Sequence, residues 1–365
     1  MATEIRALTG VRGIGAVLIV IYHFGKVRLD FIHTLWPLPH GYMAVDLFFM
    51  LSGYVIALGY RDAFAQNGWT NFKAFFAKRI ARLYPAYFVI SLLYILKLAL
   101  GLGGEETLAR FSLYDIVGNA LLLNGWGLHI YPLIGVAWAA SAELGSYLLL
   151  PLLLIGIVQR GALAWALSVA LALLAIVAIS MSGLGYAGPL DVVEPNSLLP
   201  LLRAIAGFAL GLAIYRYADR LDRLSGPVQD ALVILVLIAI VLAACLTKND
   251  LPLYGLLIPL VAILSRDGRV AQLLFGNRLV YHLGVISYSI YLLHPLFFSF
   301  TAKTTRYFGA TELNFTLCFM VFFAVIWALS YASYLWVEMP GRKLLTSLLL
   351  PKPERPPAAP AQASA

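Results

Sequence analysis

Long apolar runs separated by short polar segments cover most of this 365-residue chain. A run of about twenty predominantly apolar residues is long enough to cross the hydrocarbon core of a bilayer as a helix. The pattern predicts ten spans, at residues 10–29, 43–60, 84–101, 143–158, 163–183, 198–215, 228–246, 251–265, 283–302 and 313–336. The predicted fold is therefore all-α, that of a polytopic membrane protein.

A weaker apolar segment, residues 113–136, interrupts this series. Polar and helix-breaking residues divide it: Asn119, Asn124, Gly125, Gly127, His129 and Pro132. Irregular backbone survives at membrane depth only where it is buried in protein or lines a wet cavity. The segment is therefore predicted to be re-entrant or interfacial, and whether it crosses the membrane stays open.

The distribution of basic residues predicts the orientation. If the N-terminus is cytoplasmic and 113–136 does not cross, eighteen Lys and Arg residues fall on the cytoplasmic side and six outside. This asymmetry agrees with the positive-inside rule. Both termini are then cytoplasmic, with a membrane domain at residues 1–345. Residues 346–365, rich in Pro and Ala, are expected to form a disordered cytoplasmic tail.

Composition supports the membrane class. The chain is 61% hydrophobic and 12% charged, and its mean hydropathy is +0.86, values outside the range of soluble domains. The net charge of +8 follows from the basic loops, and without a compact basic patch no nucleic-acid partner is expected. Cys245 and Cys318 lie in apolar runs without ligands at metal-binding spacing, so no metal site is predicted.

The first span contains two ionisable residues, Arg12 and His23. Eleven helical positions separate them, which corresponds to ~16 Å along the axis. Ionisable groups at membrane depth are costly and are usually functional. The pair suggests a path for a charged ligand that ends at a base. A snorkelling arginine and a packed core histidine are the alternative.

Lys78, Arg79 and Arg82 precede the third span. Arg79 and Arg82 are three residues apart, so in a helix they share one face. Two guanidinium groups in this arrangement suit phosphate groups. Attraction of the cluster to anionic lipid is the alternative explanation.

Two carboxylates, Asp46 and Glu143, begin predicted spans on the same side as His23. A carboxylate beside a histidine fixes the imidazole tautomer and stabilises the imidazolium, which suits general base chemistry. We therefore take His23, Glu143 and Asp46 as catalytic candidates. The alternative for both carboxylates is a helix-capping role, in which Asp46 faces the helix dipole.

Two further ionisable residues lie inside predicted spans. His294 precedes Pro295, which frees the carbonyl group of Tyr291 and is expected to kink the helix. The imidazole either satisfies such a freed group or contacts a ligand. Arg203 requires an interior partner or a water-filled cavity.

Six motifs occur in a fixed order along most of the chain: Gly-Val-Arg12-Gly with His23-Phe24, Val45-Asp46-Leu-Phe-Phe-Met-Leu-Ser-Gly53, Lys78-Arg79-x-x-Arg82-Leu-Tyr-Pro85, Trp138-x-x-Ser141-x-Glu143, Ile286-Ser-Tyr-Ser-x-Tyr-Leu-Leu-His294-Pro295 and Val337-Glu338-x-Pro340. Together they resemble the acyltransferase-3 family of integral-membrane O-acyltransferases. That resemblance implies a multi-pass enzyme of the bacterial inner membrane that acylates sugars of exported polysaccharide or glycolipid.

The resemblance also implies roles for residues. Arg12 and His23 match a pair thought essential in the family, and Arg79 and Arg82 match a pair associated with the acyl-CoA donor, with Lys78 beside them. Substrate or structural candidates are Trp138, Tyr288, His294 and Arg203. Acetyl-CoA would be a co-substrate rather than a resident cofactor. The other expected partners are membrane lipid, a lipid-linked or exported sugar and polysaccharide-assembly machinery.

The expected reaction is transfer of an acyl group, acetyl first of all, from cytoplasmic acyl-CoA to a sugar hydroxyl. His23 would act as a general base or would itself carry the acyl group, and the residues do not choose between these routes. The donor for the oxyanion also stays open between Tyr288, Ser52 and a backbone amide of 113–136. The competing function is a secondary transporter, which would likewise have ten spans, buried ionisable residues and a broken helix.

Overall fold

The computed structural model describes residues 4–26, 38–103, 107–309 and 311–350, which form helices and connecting turns without β-strands. The helices are α1 (Arg6–Lys26), α2 (Ala44–Ala99), α3 (Leu113–Ala120), α4 (Trp138–Leu148), α5 (Leu150–Leu153), α6 (Ala162–Ser180), α7 (Leu199–Ala218), α8 (Gly226–Leu246), α9 (Asp250–Leu264), α10 (Arg269–Ala271), α11 (Arg278–Val285), α12 (Ser287–Leu293), α13 (Phe298–Phe308), α14 (Glu312–Ser333) and α15 (Met339–Leu349). Short π-helical turns, Leu154–Gln159, Gln272–Gly276 and Tyr334–Glu338, extend α5, α10 and α14.

Seven helical segments of the described chain are long and apolar enough to cross a membrane. Three further pairs of helices pass the same test together but are bent, by 61°, 105° and 57°, at short breaks. Counting each bent pair as one span gives up to ten, and each of the ten predicted spans overlaps one of them, with residues 27–29 of the first lying outside the described residues. The prediction of an all-α polytopic membrane protein is confirmed.

The segment 61–82, which separates the second and third predicted spans, is helical and lies within α2. A straight helix would separate Tyr60 from Phe75 by ~22 Å, yet their ring centroids are 5.0 Å apart. The side-chain amide of Asn71 also donates to the carbonyl group of Ala63 at 2.5 Å. The helical backbone therefore doubles back near residues 64–71, and the two limbs are separate spans. A polar connection between spans can thus remain helical.

The segment 113–136 contains one short α-helix, α3, whose eight residues rise ~12 Å and cannot cross a bilayer, and it ends in a 3₁₀ turn, Gly135–Ala137. The rest folds back on α3, where Asp115 accepts from the backbone of Tyr131 at 2.7 Å and Asn119 accepts from that of Leu133 at 2.9 Å. Tyr87 donates to the Asn119 carbonyl group at 2.7 Å. Tyr87 lies ~18 Å along the helix from Ala99, near the middle of the span Asn71–Ala99. The segment therefore reaches the middle of this span. This geometry is the one expected of a re-entrant segment.

Glycines allow two close helix crossings that position the site. A Cβ atom on Gly284 of α11 would lie 1.9 Å from the Thr9 carbonyl oxygen of α1. A Cβ atom on Gly53 of α2 would lie 2.1 Å from the Phe208 carbonyl oxygen of α7. No side chain fits at either distance, so the backbones of these helix pairs are in direct contact.

The structure differs from the sequence-based predictions at two places near helix ends. Pro295 tightens the chain into a 3₁₀ turn, His294–Phe297, whereas the 57° bend falls between Val285 and Ser287. At the C-terminal end, α15 continues to Leu349, so helix extends into the tail that was expected to be disordered from residue 346. Residues 351–365 of that tail lie outside the described residues.

Candidate active site

A small cavity with both apolar and ionisable wall residues lies where α1, α2, α4 and α12 meet. Its volume is about 60 Å³, the size of a few water molecules. The ionisable groups in its wall are Arg12, Arg82, Glu143, Tyr288 and Tyr291. Two guanidinium groups face one carboxylate, so the wall carries a net positive charge that favours an anionic ligand.

Arg12 and Glu143 are joined through a hydroxyl group. Arg12 Nη2 donates to Ser52 Oγ at 3.3 Å, Ser52 donates to Glu143, and the Tyr147 hydroxyl donates to the same carboxylate oxygen at 2.6 Å. We call these four residues the Arg12–Glu143 cluster. Its core combines three helices, because Arg12 comes from α1, Ser52 from α2 and Glu143 from α4.

The basic residues before Pro85 separate into different environments. Arg79 lies among three aromatic rings, with its guanidinium carbon 5.2 Å from the Phe75 centroid, 5.6 Å from that of Tyr60 and 5.9 Å from that of Tyr147. Such contacts hold a guanidinium group while its N–H groups remain able to donate. Arg82, one turn later, lines the cavity. Lys78 is exposed and belongs to the surface rather than to the cavity wall.

His23 and His294 form a second polar centre. Their rings are 5.1 Å apart, and His23 Nδ1 lies 3.1 Å from His294 Nε2. His294 is fully buried, and its Nδ1 lies 3.2 Å from the Ile290 carbonyl oxygen. The imidazole also interacts with the backbone of Tyr291, the residue whose carbonyl group Pro295 was expected to free.

Tyr291 connects the cavity to the histidines. Its ring lies in the cavity wall and 6.0 Å from the ring of His294. Its hydroxyl group donates to the Val136 carbonyl oxygen at 2.7 Å, which ties α12 to the turn before α4. The cavity that Arg82 and Arg12 line is therefore connected, through the Tyr291 ring in its wall, to His294 and His23.

Asp46 has a different partner from the one considered in the sequence. Its Oδ1 accepts from Arg203 Nε at 2.8 Å and its Oδ2 accepts from Arg203 Nη2 at 2.6 Å. Both residues are buried, with exposed fractions of 0% and 1%. Trp138 covers this pair, with its ring centroid 5.6 Å from the Arg203 guanidinium carbon. The structure therefore gives Arg203 the interior partner it requires and directs Asp46 to Arg203 rather than to His23.

Glu143, the other carboxylate considered as a partner of His23, bonds elsewhere: Ser52 and Tyr147 donate to it, and Ser52 links it to Arg12. The spacing of Glu143 and Tyr147 is a helical i, i+4 pair, so this contact could have been read from the sequence. The contribution of Ser52 could not, because it depends on how α2 packs against α1. The Tyr288 hydroxyl group donates to the Leu83 carbonyl oxygen at 3.0 Å, so its hydrogen is already used in a bond within the protein.

Comparison with known proteins gives a consistent picture. Residues 5–334 match the family model described as an acyltransferase domain. The chain is 32% identical over 122 residues to a protein of Staphylococcus aureus (strain COL) provisionally named an O-acetyltransferase, an alignment that covers 33% of this chain and 18% of the relative. It is 30% identical over 163 residues to acyltransferase MdmB of Streptomyces mycarofaciens, covering 40% of this chain and 38% of the relative.

The chain thus spans less than two fifths of the length of these curated relatives. No solved structure matches it. The family match, by contrast, extends over nearly the whole chain and includes the cavity and both histidines. This protein therefore belongs to the acyltransferase-3 family.

Proposed function

We propose that this protein transfers an acyl group, acetyl first of all, from acyl-CoA on the cytoplasmic side to a hydroxyl group of a cell-surface or exported sugar. The observation that supports this most directly is the cavity lined by Arg82 and Arg12, whose wall residue Tyr291 packs against the His294–His23 pair. It joins an anion-binding region to a pair of imidazole groups through the interior of a membrane protein.

The donor would enter at the basic wall of this cavity. Arg79 and Arg82 would hold the phosphate groups of CoA, since guanidinium groups bind phosphate bidentately. Arg12 lies further in, beside Glu143. The pantetheine arm would follow α1, and the ~16 Å between Arg12 and His23 is a distance that an extended arm of this kind spans.

The chemical step would take place at His23. The hydroxyl oxygen of the sugar attacks the thioester carbon, a C–O bond forms and the C–S bond breaks. His23 takes the hydroxyl proton and returns it to the departing thiolate of CoA. General base catalysis of this kind contributes typically ~10²–10⁴-fold in rate.

The acceptor would approach from the opposite side of the membrane, where the re-entrant segment 113–136 meets α4 and α12. Trp126 and Gly125 of this segment bond to Ser141 at 2.9 and 3.0 Å, two residues from Glu143. We propose a bacterial inner-membrane location with both termini cytoplasmic, which leaves the acceptor side open to lipid-linked or exported sugars.

The test uses isotopically labelled acetyl-CoA and membranes that contain the protein. We expect release of free CoA thiol and alkali-labile label in the saccharide or glycolipid fraction. His23→Ala and Arg82→Ala should lose both signals. Arg278→Ala is the matched control, since Arg278 is an exposed arginine at the start of α11.

Two results would contradict the proposal. One is the absence of thiol release from the wild-type protein, and the other is equal release from wild type and both site variants. Uptake of a solute without consumption of acetyl-CoA would return the transporter function to first place.

A further inference from the structure

We propose that His294 is a positioning residue that holds His23 in the Nδ1–H tautomer, so that Nε2 of His23 is the nitrogen that takes the substrate proton. This inference rests on the proposed acyl transfer for its functional meaning. Its structural part, the tautomer of His23, stands on the geometry of the two rings and can be measured without any acyl donor.

The first step concerns Nδ1 of His294. This nitrogen lies 3.2 Å from the Ile290 carbonyl oxygen. A carbonyl oxygen has only lone pairs, so Nδ1 must carry the hydrogen. His294 is fully buried, and a second proton on the ring would place an imidazolium charge in an apolar interior at high cost. His294 is therefore neutral, and its Nε2 is an acceptor.

The second step concerns His23. Its Nδ1 lies 3.1 Å from His294 Nε2, a distance at which two nitrogens share one hydrogen bond. Because His294 Nε2 is the acceptor, His23 Nδ1 must be the donor. In neutral His23 the remaining nitrogen, Nε2, then carries the lone pair and is the basic atom.

The third step concerns rigidity. The Phe298 ring centroid lies 5.8 Å from that of His23 and 5.6 Å from that of His294. The 3₁₀ turn at Pro295 keeps His294 at the end of α12, and Tyr291 packs against its ring at 6.0 Å. These contacts limit rotation of both imidazoles, so the tautomer and the orientation of His23 are set together.

The arrangement performs the role that a carboxylate performs in many base-activated sites, in which a third group orients the base. Here the orienting group is a neutral imidazole whose own tautomer is fixed by a backbone carbonyl group. Asp46 and Glu143, the carboxylates considered for this role, bond instead to Arg203 and to Ser52 with Tyr147.

The first experiment reads the tautomer directly. The full chain is labelled with ring-¹⁵N histidine in nanodiscs, and the His23 signals are assigned by their loss in His23→Gln. We expect a protonated Nδ1 and an unprotonated Nε2 on His23, and loss of this preference in His294→Leu. A protonated Nε2 on His23 in the wild-type protein would overturn the proposal.

The second experiment is kinetic and uses acetyl-CoA as the probe. His294→Leu removes the acceptor, so kcat for thiol release should fall about 10²-fold while KM for acetyl-CoA changes less than about twofold. His294→Gln places an amide oxygen near the position of Nε2 and should lose less than about tenfold. His282→Leu and His282→Gln are the matched controls, because His282 contacts Trp327 and Tyr331 away from the cavity.

A rise in KM with unchanged kcat in His294→Leu would mean that His294 contacts the donor, and equal losses in the Leu and Gln variants would mean a purely structural role. Either result overturns the positioning role. The two proposals fail separately: a wild-type protein without thiol release contradicts acyl transfer, whereas the NMR result judges the tautomer.

Discussion

Two arginine–carboxylate groups lie in the same helix bundle, and they are built differently. In the Asp46–Arg203 pair, two parallel N–H groups meet two carboxylate oxygens at 2.8 and 2.6 Å, and both residues are sealed from solvent. In the Arg12–Glu143 cluster, a serine hydroxyl stands between the charges, and both Arg12 and Glu143 face the cavity.

The difference separates a structural ion pair from a group able to bind a ligand. In a bidentate, fully buried pair the two charges meet each other directly, and burial keeps a ligand from them even though Arg203 Nη1 has no hydrogen-bond partner among the described residues. Charges that are bridged by a hydroxyl group and lie next to a cavity keep donors and acceptors that a ligand can use. An arginine and a carboxylate thus differ in their availability to a ligand according to whether they bond directly or through a hydroxyl group.

The largest expected effect breaks the structural pair. Arg203→Met leaves the Asp46 carboxylate buried without its partner, which should cost about 3–5 kcal/mol of stability. Thermal unfolding in detergent measures this. The double variant Asp46→Leu with Arg203→Met should recover most of the loss, because neither charge is then unpaired. A single variant as stable as the wild type but without thiol release would assign the pair to catalysis instead.

The next effect tests the cluster with a change of similar shape. Glu143→Gln keeps an acceptor for Ser52 and Tyr147 but removes the charge that faces Arg12. Stability should change by less than about 1 kcal/mol, while thiol release from acetyl-CoA should fall about 10²-fold. Asp46→Asn is the matched comparison, and it should lose stability first. If both variants behaved alike, the distinction between the two regions would not hold.

A smaller effect is expected when a single hydroxyl group is removed. Tyr147→Phe keeps the ring that packs against Arg79 and removes the donor to Glu143, a bond of 2.6 Å. The loss of one hydrogen bond to a charged group corresponds to about 1.5–3 kcal/mol, and it should appear in thiol release more than in thermal stability. Unchanged kinetics would remove Tyr147 from the cluster.

The smallest effect on activity is expected at an exposed residue, Lys78. Lys78→Ala should raise KM for acetyl-CoA less than about threefold, and the change should fade at high salt because exposed charges are screened. Arg82→Ala, three residues from Arg79 and in the cavity wall, should raise it far more and at any salt concentration. An equally large, salt-independent effect at Lys78 would extend the donor site to the surface.

Much of the fold could be predicted because crossing a membrane is a local requirement on hydrophobicity. Each predicted span corresponds to a helix or bent helix pair. The turn at residues 64–71 could not be predicted, since polar composition permits either a loop or a folded-back helix. The bend after Val285 was not predicted either, because Pro295 was taken as the site of the kink.

The site residues were recognisable one by one as ionisable groups in apolar runs, but their pairing was not. His294 and His23 lie 271 positions apart, and Asp46 and Arg203 lie 157 apart. No spacing rule links residues at such separations. Ser52 carries no charge and no periodic signal, so its place between Arg12 and Glu143 was beyond sequence reasoning.

The sequence by itself determined the class of this protein, its spans, its family and the identity of its unusual polar residues. These follow from composition and short motifs, which act within one helix. Only the tertiary structure decided which carboxylate meets which arginine and that His294 stands beside His23. Those choices depend on close helix crossings such as that at Gly284, where backbone contact between distant segments sets the positions of their side chains.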